Sequence, residues 1–199
     1  KVWLNLILAG AMIFCAGFSK GIPGLFTLGA VFFHWLLFRK QSFGKMVLQN
    51  LFVIAVTFGI LGLILLNPEA NESLSIYFND RLLGRVDHGH TRETHFYILE
   101  RIFWELLPGF IMVGLVHLVL RIKKLPPKID KTQIRWFAYF MIIGLCGSVP
   151  IMLTLVQKTF YFVGSLPYFG LALGVLVAPA LAAHSAKVNP AKKGFKFSA

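Results

Sequence analysis

The sequence predicts an all-α, polytopic membrane protein with about six transmembrane helices and one long extracytoplasmic loop that carries an interfacial helix. Three observations predict it. The 199 residues are 57% hydrophobic and only 14% charged, where a soluble domain carries roughly 25% charged residues. Apolar runs of 17 or more residues recur along the chain, and a helix that crosses a bilayer needs about 20. The runs also lack the alternation of lipid-facing and lumen-facing residues that marks a transmembrane barrel strand. Backbone groups in lipid must be satisfied within their own segment, which a helix achieves alone.

Taken in order, the predicted helices are 2–18, 22–38, 46–66, 102–120, 136–156 and 159–183, with an outer loop at 67–101 and a basic tail at 184–199. They form a single transmembrane region over 1–199. The chain begins at Lys1 and runs directly into apolar sequence without a small-residue cleavage site, so the expectation is a piece of a longer protein rather than a signal peptide. Cys15 and Cys146 each lie inside an apolar run and read as small buried hydrophobes, not as a disulfide or metal pair. His34 and His117 read as satisfied histidines near the inner ends of their helices. Gly170 and Gly174 have the small-xxx-small spacing that permits close helix packing. Pro150, Pro167 and Pro179 predict kinks or local breaks in the last two helices.

Charge assigns the two sides. The loop 39–45, the loop 121–135, the tail and Lys1 hold 14 of the 20 basic residues against one acid, Asp130. The complementary segments hold Lys20, Arg81, Arg85, Arg92, Arg101 and Lys158 against seven acids. An excess of Lys and Arg marks the cytoplasmic side, so the net charge of +12 reflects topology first and contact with anionic membrane lipids second. Nucleic-acid binding is not expected, because the basic stretches are short and no recognition motif accompanies them. The outer face is nearly neutral. Lys20, in "FSKGIPG", and Lys158, in "VQKTF", therefore sit on short outer connections where orientation does not require them.

In the outer loop, Asn67-Pro68 ends the third helix, since proline cannot continue its hydrogen-bond ladder. From Ser73, the residues Leu74, Tyr77, Phe78, Leu82 and Val86 recur at three- and four-residue spacing, which predicts a short amphipathic helix lying on the membrane surface. "DHGHTRETH" sets His88, His90 and His95 near Asp87 and Glu93. That set is a weak candidate for a divalent metal, but Gly89 and the absence of any period favour a solvated polar turn. Glu100, Arg101 and Glu105 enter the fourth helix from outside. Acids there favour the helix dipole. Glu105, the deeper one, is expected to face the protein interior or a wet cavity. The Walker loop and GxGxxG templates of soluble enzymes are absent from the sequence, as is an internal repeat of the transporter kind.

The order of these features resembles the later half of GT-C class membrane glycosyltransferases of the protein-mannosyltransferase and aminoarabinose-transferase type. "FSKGIPG" resembles the family's Lys-Gly-Pro segment, with Ile22 intervening between Gly21 and Pro23. "YFNDRLLGRV…THFYILERIFWELLPG" resembles its interfacial helix and the His-aromatic-Tyr run into a helix. "QKTFYFVGSLPYFGLAL" resembles its Lys…Tyr…Leu-Pro opening of a late helix. The likeness spans most of residues 10–183.

The resemblance implies transfer of a sugar from a polyprenyl-phosphate carrier to a glycan, lipid or protein acceptor outside the cytoplasm, in a bacterial inner membrane. It gives the outer cations a role as lipid-phosphate contacts: Lys20 and Lys158 first, Arg81 or Arg85 third. His95, Glu100 and Glu105 become further outer-loop candidates. In the family the catalytic carboxylate lies in the first outer loop, so here it is expected upstream of Lys1, and this piece alone is expected to be inactive. No cofactor is required by the reading, and a divalent metal is compatible with it. The alternatives are a transporter or flippase of a lipid-linked or anionic solute, for which the helix centres are too apolar, and a non-catalytic membrane assembly protein.

Overall fold

The structure is a computed structural model that describes residues 1–77, 79, 94, 96–124, 129–153 and 159–185. Among these the chain is almost entirely helical and forms no strand. The α-helices are α1 (Val2–Lys20), α2 (Ala30–Phe38), α3 (Phe43–Leu65), α4 (Pro68–Ile76), α5 (Tyr97–Ile122), α6 (Lys131–Ser148) and α7 (Leu166–Ser185). Three 3-10 segments, Ile22–Gly29, Val149–Leu153 and Thr159–Ser165, join them. Among the described residues five stretches are long and apolar enough to cross a membrane: Val2–Lys20, Phe43–Leu65, Tyr97–Ile122, Lys131–Met152 and Phe162–Ala182. The protein is a multi-pass, all-α membrane protein.

The predicted helix at 22–38 is wound differently from the others. It starts as the 3-10 segment Ile22–Gly29 and becomes α-helical only at Ala30. A 3-10 helix rises about 2 Å per residue against about 1.5 Å for an α-helix. The 17 residues of the two segments therefore reach about 30 Å, the thickness of a bilayer core. The tight winding is compatible with the way this segment packs. A Cβ at Gly24 would collide with the Ala16 carbonyl of α1, so the chain turns back in direct backbone contact with the helix it has just left.

Helix ends follow side-chain caps. Ser42 Oγ accepts from the Lys45 N–H, which starts α3 at Phe43 rather than near 46. Asn67 Oδ1 accepts from the Glu69 N–H at 3.0 Å with Pro68 in the first turn. Asn67-Pro68 thus ends one helix and begins the next; of the predicted interfacial helix, α4 covers Ser73–Ile76, and Phe78, Leu82 and Val86 lie outside the described residues. Asp130 and Gln133 form a reciprocal capping box that begins α6 at Lys131, outside the purely apolar run. The prolines act unequally. Pro150 coincides with the change from α to 3-10 winding after Ser148. Pro167 lies in the first turn of α7, where no intrahelical bond is lost. Pro179 and the unanticipated Pro108 lie inside continuous helices.

Packing divides into two neighbourhoods. On one side α1 lies along α3, which also carries α4. On the other, α6 and α7 form the most extensive helix pair, with α5 against α7 and α2 against both α3 and α6. The segment Ile22–Gly29 bridges them by touching α1, α3 and α6. The α1–α3 contact is close because Gly10 faces Val56 and Val53. Thr57 Oγ1 lies 2.9 Å from the Val53 carbonyl and 3.0 Å from that of Gly10, sharing its one proton between the two helices.

The main core cluster comprises Ile98, Ile102 and Leu106 of α5, Ile151, Phe162 and Phe169. It fixes the 3-10 turn Thr159–Ser165 against three helices. Large apolar side chains such as Leu63, Met112 and Ile122 point outward and are mostly exposed. A helical surface of this kind is matched to hydrocarbon, where association rests on van der Waals packing and interhelical hydrogen bonds.

Two expectations about small residues are corrected. Among the described residues, Gly170 and Gly174 meet nothing where a side chain would begin. They line an open groove with Pro167, Leu171, Val175 and Ala178 instead of a helix contact. Both cysteines are free thiols, but Cys15 is exposed and Cys146 only half-buried, because their runs also face outward.

Candidate functional site

The stretch "FSKGIPG" builds the end of α1 and the turn that follows. Lys20 is the last residue of α1, where a cation complements the helix dipole. Gly21 adopts φ 72°, a conformation that L side chains rarely take, and its N–H donates to the Gly17 carbonyl at 2.7 Å. Gly24 N–H then donates to the Gly21 carbonyl at 2.8 Å, starting the 3-10 segment. The result is an abrupt reversal with Lys20 at its outer edge.

Lys20 is exposed and has no carboxylate partner among the described residues. It stands at one end of a 490 Å³ cavity between α1, the segment Ile22–Gly29, α6 and α7. One wall is the α1 stripe Ala9, Met12, Ile13 and Ala16, with Ser19 and Lys20 above it. The facing wall includes Phe26, Thr27, Tyr139, Phe140 and Tyr168. From Ala9 to Lys20 the stripe is about 16 Å long at the α-helical rise. A small number of polar groups in a mostly apolar cavity is the usual pattern of a small-molecule site. Here the one cation among the described lining residues is at the end, and the hydrocarbon wall runs along the helix. That arrangement suits an amphiphile with an anionic head and an apolar chain.

The ammonium of Lys20 lies across Gly164 in the turn before α7. A Cβ on Gly164 would stand 3.0 Å from Lys20 Nζ and under 4 Å from its Cδ and Cε. The adjacent Ser165 is fully buried, and the Ser148 hydroxyl lies 2.8 Å from the Ser165 hydroxyl. Phe26 and Tyr168 meet edge to face, ring centroids 5.5 Å apart, joining the two sides of the cavity.

On the far side of the same α1 turn is a 410 Å³ cavity lined by Phe14, Phe18, Leu25, Phe58, Leu74 and Tyr77 among others. Tyr77 Oη would stand 3.0 Å from a Cβ on Gly21, so α4 rests its phenol on the turn. Among the described residues no charged side chain lines this cavity.

Of the other candidates, Lys158, Arg81, Arg85, His88, His90 and His95 lie outside the described residues. Glu100 is exposed in the first turn of α5. Glu105 corrects the expectation made for it. It is exposed and forms an ion pair with Arg101 one turn earlier, rather than facing an interior or the Lys20 cavity. Its cost in the membrane is met by that neighbour at i,i+4 spacing. Among the described residues no group of three His, Cys, Asp or Glu side chains is placed to hold a metal.

His34 and His117 differ from each other. His117 Nδ1 lies 2.9 Å from the Val113 carbonyl, which fixes the proton on Nδ1, while its buried Nε2 has no partner among the described residues. His34 packs among rings: Phe38 stacks on it at 4.7 Å, with Trp136 and Tyr139 within 6 Å. This aromatic cluster ties α2 to α6.

Sequence reasoning does not single out Tyr139, Thr27 or Gly164 as cavity residues. Tyr139 and Thr27 sit in apolar runs whose hydropathy carries no information about which face meets the protein. No family model, curated protein or solved structure matches the chain.

Proposed function

We propose that this chain is part of an integral-membrane glycosyltransferase that takes a sugar from a polyprenyl-phosphate carrier and passes it to an extracytoplasmic glycan, lipid or protein acceptor. One observation carries the reading: the Lys20 ammonium, without a carboxylate partner among the described residues, heads an apolar cavity that runs along α1. The carrier phosphate meets the ammonium at the membrane surface, and the prenyl chain follows the stripe Ala9–Ala16. Lys158 is a second phosphate contact in this reading, with Arg81 or Arg85 a third. The sidedness that accompanies it is the charge map: residues 67–101 outside, the basic tail in the cytoplasm, in a bacterial inner membrane.

The chemistry is a displacement at the sugar's anomeric carbon. The bond from that carbon to the carrier-phosphate oxygen breaks, its electrons remain on the phosphate, and an acceptor oxygen forms the new bond. Lys20 stabilises the charge that grows on the departing phosphate. The acceptor's proton passes to a carboxylate, which this reading assigns to sequence preceding Lys1. Glu105, held by Arg101, is not that base.

The test is carrier binding by the purified protein in nanodiscs that contain a polyprenyl-phosphate sugar. Lys20→Ala is expected to weaken carrier binding about 10- to 100-fold, the scale of one hydrogen bond to a charged group. Wild-type binding by that variant removes Lys20 from the site and the reading with it.

A further inference from the structure

Lys20 belongs to a flexible side chain at a helix end, yet its ammonium is not free to swing in every direction. Its terminal methylenes and Nζ rest against Gly164, with Nζ 3.0 Å from where a Cβ would be. Gly164 is itself held. Two residues before it, Phe162 is 2% exposed and belongs to the core cluster. The next residue, Ser165, is 1% exposed and bonded to Ser148 at 2.8 Å. Gly147 faces Ser165, and a Cβ there would stand 2.7 Å from the Ser165 hydroxyl. The turn is therefore anchored on both sides of Gly164, and the bare Cα of Gly164 forms the surface on which the lysine lies.

We infer that Gly164 is a positioning residue for Lys20, setting the reach and direction of the ammonium toward an anionic lipid headgroup. The inference rests on the lipid-phosphate reading of the cavity. A methyl at Gly164 meets the mobile end of a lysine and not fixed backbone. It displaces the ammonium by a few tenths of an ångström or more while leaving the fold intact. A charge-assisted hydrogen bond depends on short, aligned geometry, so a small displacement is felt in binding and not in stability.

The experiment compares Lys20→Ala, Gly164→Ala and the double variant in nanodiscs, using polyprenyl phosphate and, as a control, the uncharged polyprenol of the same length. Thermal unfolding is followed in parallel, and Ser165→Ala serves as a second way to loosen the turn. Gly164→Ala is expected to weaken polyprenyl-phosphate binding about three- to tenfold, with an unchanged midpoint and unchanged polyprenol binding. In the Lys20→Ala background the same substitution is expected to have no further effect, because its target is gone. Ser165→Ala is expected to weaken phosphate binding in the same lysine-dependent way. If Lys20→Ala weakens binding but neither Gly164→Ala nor Ser165→Ala does, the positioning role is overturned and the lipid-phosphate reading stands. An equal effect of Gly164→Ala in both backgrounds also overturns it, since that marks a structural role. If Lys20→Ala binds like wild type, the lipid-phosphate reading and the inference fail together.

Discussion

Ser148 and Ser165, both fully buried, lie with their hydroxyl oxygens 2.8 Å apart, joining the end of α6 to the turn that precedes α7. The two are not equivalent. Ser148 Oγ is also 3.1 Å from the Gly144 carbonyl, whereas Ser148 is the hydrogen-bond partner seen for the Ser165 hydroxyl. Removing Ser165 leaves Ser148 satisfied. Removing Ser148 leaves a polar group buried alone. Ser148→Ala is therefore expected to destabilise the protein by about 1–3 kcal/mol, and Ser165→Ala by about 1 kcal/mol. Thermal unfolding of the purified variants checks the order, and the reverse order would show that Ser165 has the better-bonded hydroxyl.

Glycines in the apolar runs divide by what they face. A Cβ at Gly10 would stand 2.7 Å from Val56 Cγ1 and 3.1 Å from the Val53 carbonyl, so Gly10→Ala pushes α1 away from α3 and from the Thr57 bond. Overpacking of this kind costs about 1–3 kcal/mol. At Gly170 and Gly174 there is open space, and alanine there is expected to be neutral or to stabilise by up to about 1 kcal/mol through helix propensity. The same thermal assay distinguishes them. A loss at Gly170 or Gly174 comparable to that at Gly10 would mean that another surface covers this groove.

The charge map predicts which ends are accessible from which side. In a cysteine-free background, Glu69→Cys at the start of α4 is expected to react with a membrane-impermeant maleimide in intact cells. Lys124→Cys, in the basic connection after α5, is expected to react only after permeabilisation. Labelling of both from outside would contradict the assignment made from Lys and Arg bias.

Run length and composition suffice to locate the membrane-spanning helices, because hydrocarbon leaves helices few alternatives. Some finer features are also written in the sequence. The spacing Asp130-x-x-Gln133 signals the capping box that extends α6 outward. The four-residue interval between Arg101 and Glu105 signals the ion pair that removes Glu105 from the interior. Asn67-Pro68 is a helix start as well as a stop.

The cavity itself is much less legible. In a soluble helix the apolar face points inward, but here both the lipid face and the protein face are apolar, and no period separates Tyr139 or Ala16 from residues that meet hydrocarbon. Which glycines are packed and which are bare is equally hidden. Gly170 and Gly174 have the recognised spacing yet face open space, while Gly10, with no such motif, carries a helix contact.

The stretched winding of Ile22–Gly29 leaves this segment no slack. Together with α2 it has 17 residues, which reach about 30 Å only because the first eight rise faster than an α-helix. The longer helices adapt to a thicker membrane by reducing their tilt. This one has already used its extension, and its first residue is joined to Lys20 through Gly21. If Lys20 meets a lipid headgroup as proposed, bilayer thickness is expected to act on the depth of the cation: in long-chain lipids the mismatch would fall first on the turn that carries Lys20, making lipid length a variable alongside headgroup charge.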